Sequence, residues 1–299
     1  MVTCPEVVLE RVAAVVGDVT LDNTRTVKPE VIAATGFATR RIVSSGTTLE
    51  DLMLRAAHAC VDSPSIRDRI AGVIVATSTG TNRFPSIAVR IVSALGLSTE
   101  TAAFDIQMAC SAYPYAIYLA GRFAADSNRA ILVVNGDVQS PFLEGSEPGT
   151  AALFSDAATA TIVSSGHGEL SAAAFYSRPS DALTCSANGP IKMDGFRVFA
   201  FAATDVVKFL RPFGTAYDHF IPHQANMYMV RQLAKALGVE DKLLTCGGEF
   251  ANPGSCSIPL ALATNAPKGR ALLAGFGAGF SAAAIIVRLA ENFEGFLLP

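Results

Sequence analysis

Charge is what this sequence has least of. Asp, Glu, Lys and Arg make up 16% of its residues, against roughly 25% in an ordinary soluble protein, and mean hydropathy is +0.38. Much of its surface must be covered, in internal layers or in a subunit interface, and an oligomer is expected. Net charge is −3, and no Lys/Arg run is long enough to attract a nucleic-acid backbone or an anionic membrane, so those partners are excluded. The first ten residues lack a basic segment followed by a clean apolar one, so a signal peptide is not predicted and the expected location is the cytoplasm. The uncharged stretch from Ala271 to Val287 is broken by Gly275, Gly277 and Gly279. It reads as two strands joined by a glycine turn rather than as a membrane span. The six cysteines, at 4, 60, 110, 185, 246 and 256, form no C-x-x-C pair, and free thiols are expected.

What is present alternates between strand and helix. The β-branched runs Ile70–Thr77 and Ala130–Gly136 have strand length and apolar character on both faces, as central strands do. Thr47 to Glu50 resembles a capping box opening a helix with Leu49, Leu52, Met53, Ala56 and Cys60 on one face, and Ile87 to Leu95 is a second amphipathic stretch. Later, Asp218 to Pro222 reads as a strand. Met227, Val230, Leu233, Ala234 and Leu237 then recur at helical spacing until Gly238. The alternation predicts an α/β fold. Phe154 to Val163 and Phe276 to Val287 echo one another, each a phenylalanine, small turn residues and a strand. Two related halves follow, 1–166 and 167–299, joined near Gly166-His167-Gly168.

Three residues stand where a strand-like stretch gives way to a helix. Cys110 lies between Phe104-Asp105-Ile106 and an apolar helix, where unpaired N–H groups and the macrodipole favour a thiolate; its other reading is a small buried hydrophobe. His223 occupies the corresponding place in Pro222-His223-Gln224-Ala225-Asn226, and is a better base candidate than His58 or His167. His219 and His223 have the i, i+4 spacing of metal ligands, but Pro222 opposes a helix there and no metal site is predicted. Asn252, held extended before Pro253, precedes a helical segment from Ser255 to Ala263; a plain turn or N-cap is its alternative. Gly275-Phe276-Gly277-Ala278-Gly279 does not match a dinucleotide fingerprint, and its N–H groups are candidates for an oxyanion hole.

Taken together, these motifs resemble the ketoacyl-acyl carrier protein synthase III family of the thiolase superfamily. The resemblance runs from Ala34-Thr35-Gly36 and Arg40-Arg41, through Arg83–Ser86 and Ala109-Cys110-Ser111, to Lys192–Gly195, Pro222–Asn226, Ala251–Ser255 and Phe276–Phe280. It implies a thiolase-like fold, two βαβαβαββ halves in α-β-α-β-α layers, and a homodimer. It makes Cys110 the acyl-accepting nucleophile, with His223 and Asn252 polarising a malonyl thioester for decarboxylative condensation in fatty acid or polyketide-type biosynthesis. The N–H groups of Cys110 and Ala278 would hold the acyl oxygen. Phe154 and Phe276 are assigned to the substrate pocket, as is Phe84, reaching across the dimer. The implied partners are an acyl-CoA or acyl-carrier-protein donor, a malonyl thioester and an acyl carrier protein, with no cofactor and no metal.

The chain also departs from the family pattern. It has no tryptophan to sandwich an adenine, and Ala34, Pro148 and Tyr228 stand where basic residues are common. The primer and its carrier are therefore left open. A second reading keeps the acyl-cysteine and passes the acyl group to an alcohol or amine, with His223 as general base. A non-catalytic partner subunit would be expected to have lost Cys110. A Cys-His-Asn protease would carry a different cysteine context.

Overall fold

The computed structural model describes residues 1–82, 84–187 and 189–298; Arg83 of the Arg83–Ser86 motif lies outside them. Among the described residues ten strands form the main sheet: β1 Val2–Cys4, β2 Val7–Val16, β3 Ile70–Ala76, β4 Ala102–Ile106, β5 Ala130–Asp137, β6 Ala157–Ser165, β7 Ser171–Ser177, β8 His219–Pro222, β9 Arg270–Gly277 and β10 Ser281–Leu297. Five helices matter for the site: α1 Leu49–Cys60, α2 Ile87–Ala94, α3 Ala112–Ser127, α4 Met227–Leu237 and α5 Ser257–Asn265.

One pairing pattern occurs twice. β3 runs parallel to β5, β5 antiparallel to β6, and β6 antiparallel to β2. Likewise β8 runs parallel to β9, β9 antiparallel to β10, and β10 antiparallel to β7. β4 extends the first set beside β3, where the second has a single parallel bridge from Phe220 to Leu243. The sets join through the parallel pairing of β2 with the far end of β10, and β1 pairs antiparallel with β7.

Alternation along each strand sends its side chains into two layers. Ile131 and Val133 of β5, with Leu273 of β9, face Tyr113, Ala116 and Ile117 of α3 and Ile258 and Leu262 of α5 in the central layer. Leu132 and Val134 face Leu52 and Met53 of α1 and Ile91 of α2 on one outside. Leu272 and Phe220 face Met229 and Leu233 of α4 on the other. The result is the expected α-β-α-β-α layering. The capping box of α1 is set one residue later than the sequence reading. Thr48 Oγ1 accepts the Asp51 N–H, and the Asp51 carboxylate accepts from the Thr48 N–H, because the box needs the acceptor at N3 of the helix that forms.

Cys110 follows β4 and His223 follows β8, each at the carboxyl end of a strand running parallel to its neighbour. Both strands end on the same side of the sheet, which brings the two side chains together, although in the repeated pairing β8 corresponds to β3, so that His223 takes the place Thr77 has in the first set. Close packing of α3 on β2 is part of that placement. A Cβ on Gly121 would sit 2.4 Å from Cγ2 of Val7, a stiff, fully buried side chain. Gly121→Ala is expected to lower stability by about 1–3 kcal/mol through overpacking, outweighing the roughly 1 kcal/mol gained in helix propensity. A guanidinium denaturation midpoint above that of the unsubstituted protein would refute this.

Candidate active site

The turn carrying the thiol is tightly built. Ala109 adopts a left-handed φ of 44°, and Ala109–Ser111 form one 3-10 turn before α3. Ser111 Oγ lies 2.8 Å from the Met108 carbonyl and 2.8 Å from Ser281 Oγ, which lies 2.7 Å from the Ala278 carbonyl; two hydroxyl protons serve these three contacts. The two segments bearing the candidate oxyanion donors thus meet through this pair of hydroxyls. Gly277 passes close to the thiol, where an added Cβ would lie 2.9 Å from Cys110 Cβ and 3.3 Å from its Sγ.

His223 and Asn252 are oriented by one short stretch of chain. The His223 N–H donates to the Ala274 carbonyl at 2.8 Å, and its ring stands edge-on to Phe276, with centroids 5.6 Å apart. Nδ1 of the ring meets Ser257 Oγ at 2.7 Å. The Asn252 N–H donates to the Leu153 carbonyl, and its own carbonyl accepts the Ser155 N–H, forming a parallel bridge with Phe154. Asn252 Oδ1 accepts the Gly254 N–H at 3.0 Å. The acceptor end of the amide is occupied, leaving its N–H groups as the reactive face.

Two cavities meet at Cys110. One, of about 110 Å³, is lined by Ser78, Cys110, Asp137, Gln139, Phe142, Phe154, Ile191 and Ala278, and opens to a wide surface cleft past Thr184, Cys185 and Phe280. The other, also about 110 Å³, is lined by Cys110, Phe154, Met193, Phe199, His223, Asn226, Asn252 and Phe276. The predicted residues Cys110, His223, Asn252, Phe154, Phe276 and Ala278 therefore gather at one place. Phe84 does not join them in a single chain: it is 86% exposed and lines neither cavity. His219 is also separate, its Nε2 against the Lys268 carbonyl at 2.9 Å.

Burial sets the protonation states. Desolvation, helped by the nearby Asp137 carboxyl, pushes the Cys110 thiol up to about 12, so the thiolate expected at a helix start is not the resting form. A helix N-terminus contributes about 0.3–1 kcal/mol at exposed sites, less than the cost of placing an anion in a dry pocket. Desolvation also lowers His223 to about 3, against a smaller opposite effect of the Gly254 backbone, and the ring is neutral.

Asp137, Gln139 and Ser257 were not read from the sequence. Asp137 accepts the Ser78 N–H at 2.8 Å, the Ser255 N–H at 2.9 Å and the Ser255 hydroxyl at 2.7 Å. Its pKa is raised by burial in spite of these bonds. An acid at the end of a wholly buried strand was the available signal. All six cysteines are free. Among the described residues no group of three or more His, Cys, Asp or Glu could hold a metal ion, and no helix is long and apolar enough to cross a membrane.

A buried neutral histidine makes stability depend on pH with a definite sign. Below pH 6.5 the unfolded chain binds a proton that folded His223, at about 3, refuses. Stability therefore falls as pH drops through that window, by roughly 1 kcal/mol per pH unit from this group. His223→Gln is expected to flatten the slope of unfolding free energy between pH 6 and pH 4, measured by urea titration; an unchanged slope would contradict it.

With this geometry in view, comparison with known proteins places the chain. The family model described as 3-oxoacyl-[acyl-carrier-protein (ACP)] synthase III matches residues 104–179, and the model of its C-terminal part matches residues 215–289. The chain is 30% identical over 286 residues to a beta-ketoacyl-[acyl-carrier-protein] synthase III of Neisseria meningitidis serogroup B, covering 86% of this chain and 89% of the relative. It is 33% identical over 268 residues to the enzyme of that name from Acholeplasma laidlawii, covering 84% and 86% respectively. The solved 3-oxoacyl-(acyl carrier protein) synthase III of Pseudomonas aeruginosa superposes with a TM-score of 0.86 at 27% identity, over 96% of this chain and 99% of that one. Matching motifs, relatives and architecture agree, and the chain belongs to the 3-oxoacyl-[acyl-carrier-protein] synthase III family.

Proposed function

We propose that the protein is a condensing acyltransferase that loads an acyl group on Cys110 and extends it with a malonyl thioester, releasing CO2. The observation that carries this reading is that Cys110 lies where two cavities meet, with His223 and Asn252 lining one of them. One cavity suits the acyl chain and the other the thioester arm of the incoming carrier. In the loading step Cys110 Sγ bonds to the donor carbonyl, the donor C–S bond breaks, and the thiol proton finishes on the departing carrier thiol. The N–H groups of Cys110 and Ala278 hold the oxyanion. The malonyl thioester then enters, and its bond to the carboxylate breaks. The electron pair passes to the thioester oxygen as an enolate, held by Nε2–H of His223 and an amide N–H of Asn252. The enolate carbon attacks the acyl-cysteine, a carbon–carbon bond forms, and the Cys110 sulfur leaves and takes a proton.

A neutral imidazole suits this work, because it donates a hydrogen bond without adding a charge to a dry site. Passing the acyl group to an alcohol or amine would instead require His223 to take a proton, for which a ring lowered to about 3 is a weak base at neutral pH. The donor is an acyl-CoA or acyl-carrier-protein thioester. We further propose the division into halves 1–166 and 167–299, and a homodimer in which exposed Phe84 meets a second copy. Six free cysteines fit a cytoplasmic setting.

Incubation with acyl-CoA and acyl-carrier-protein donors is expected to add the acyl mass to Cys110, and malonyl thioester to discharge it as a ketoacyl product with CO2. Acylation without either product would sink the condensing role. His223→Ala and Asn252→Ala should acylate normally and lose about 10²–10³-fold in condensation. Gly277→Ala, which displaces the thiol, should slow acylation by about 10–100-fold; an unaltered rate of mass gain would show that the close approach has no kinetic role.

A further inference from the structure

We propose that Ser257 is a positioning residue that sets the tautomer of His223, turning Nε2 into the hydrogen-bond donor of the site. The proposal rests on the reading of His223 as a donor to the enolate, and its structural half stands apart from that reading. Ser257 is the first residue of α5, 1% exposed. Its Oγ lies 2.7 Å from His223 Nδ1 and accepts the Gln224 backbone N–H at 3.3 Å.

A hydroxyl has one proton to give and two lone pairs. The Gln224 N–H is purely a donor, so it takes a lone pair and leaves the hydroxyl proton in need of an acceptor. Among the described residues, the acceptor recorded for that proton is His223 Nδ1. Were Nδ1 to carry the proton instead, Ser257 Oγ would receive two donors and its own proton would be stranded in a buried place, which is costly. Ser257 therefore donates to Nδ1, and the neutral ring carries its proton on Nε2. A doubly protonated ring is opposed by burial.

The same six residues treat both donors alike. Gly254 N–H occupies Asn252 Oδ1, and Ser257 occupies His223 Nδ1. Each bond engages the acceptor atom of a side chain that has one acceptor and one donor end. The loop from 252 to 257 thereby presents two donors and no acceptor to a developing oxyanion, the polarity that enolate stabilisation needs.

The test combines a spectrum with kinetics. Long-range proton–nitrogen NMR of protein labelled with 15N-histidine, with the His223 signal assigned by its loss in His223→Gln, is expected to show Nε2 protonated and Nδ1 bare. Ser257→Ala should move the ring toward the Nδ1–H form. Its condensation kcat should drop about tenfold, short of the 10²–10³-fold for losing a donor outright, with KM for the malonyl thioester and the rate of Cys110 acylation held within about twofold. Ser257→Thr, which restores the hydroxyl, should recover both the spectrum and kcat. An Nδ1-protonated His223 in the unsubstituted protein overturns the proposal even if Ser257→Ala does not fold. So does an unchanged tautomer and kcat in Ser257→Ala. Undiminished condensation in His223→Gln, beside the expected tautomer, would remove the enolate role of His223 while leaving the Ser257 assignment standing.

Discussion

The carboxyl of Asp137 is the tie on which the site depends. It sits at the end of β5 and receives three donors, one from Ser78 after β3 and two from Ser255, 118 residues further along the chain. A buried acid left without partners costs several kcal/mol, so the folded state holds Ser255 where those bonds can form. Asn252 and Ser257 lie on the same segment as Ser255. Their placement beside a thiol from the other repeated strand set follows from satisfying one carboxyl.

Desolvation then decides what the placed groups are. The thiol and the imidazole both rest neutral, although the sequence position of Cys110 argues for an anion. The end of a helix contributes at most about 2 kcal/mol, and burial moves a titrating group by several pK units at about 1.4 kcal/mol each. With thiol and imidazole both neutral, the donors of the site face an oxygen on which charge develops once a thioester arrives. Hydrogen bonds from Ser257 and Gly254 settle the orientation of those donors in advance, so less reorganisation is left for the reaction itself.

Legibility in the sequence followed the range of the interaction. β3, β5, α1 and α4 were readable because period and capping are local properties, and even the one-residue displacement of the α1 capping box stayed within a turn. Cys110, His223 and Asn252 stood out as reactive residue types before helix starts. Asp137 falls one residue past the strand read at Ala130–Gly136, and Ser257 inside the helical segment from Ser255 to Ala263. Nothing within a few residues of either announces a partner, since the groups they serve come from other elements. Phe84 depends on more than one chain: the resemblance assigns it to a partner's pocket, and within a single chain it is exposed.

By itself the sequence determined the α/β alternation and several of its strands and helices, the residue types at the three junctions and the family likeness they carry, all properties that a short window of chain contains. The tertiary structure decided that the thiol rests protonated, that the imidazole is neutral, and which ends of His223 and Asn252 are free to donate. Those outcomes depend on the water excluded by several layers and on hydrogen bonds between distant segments, and neither exists until the chain has folded.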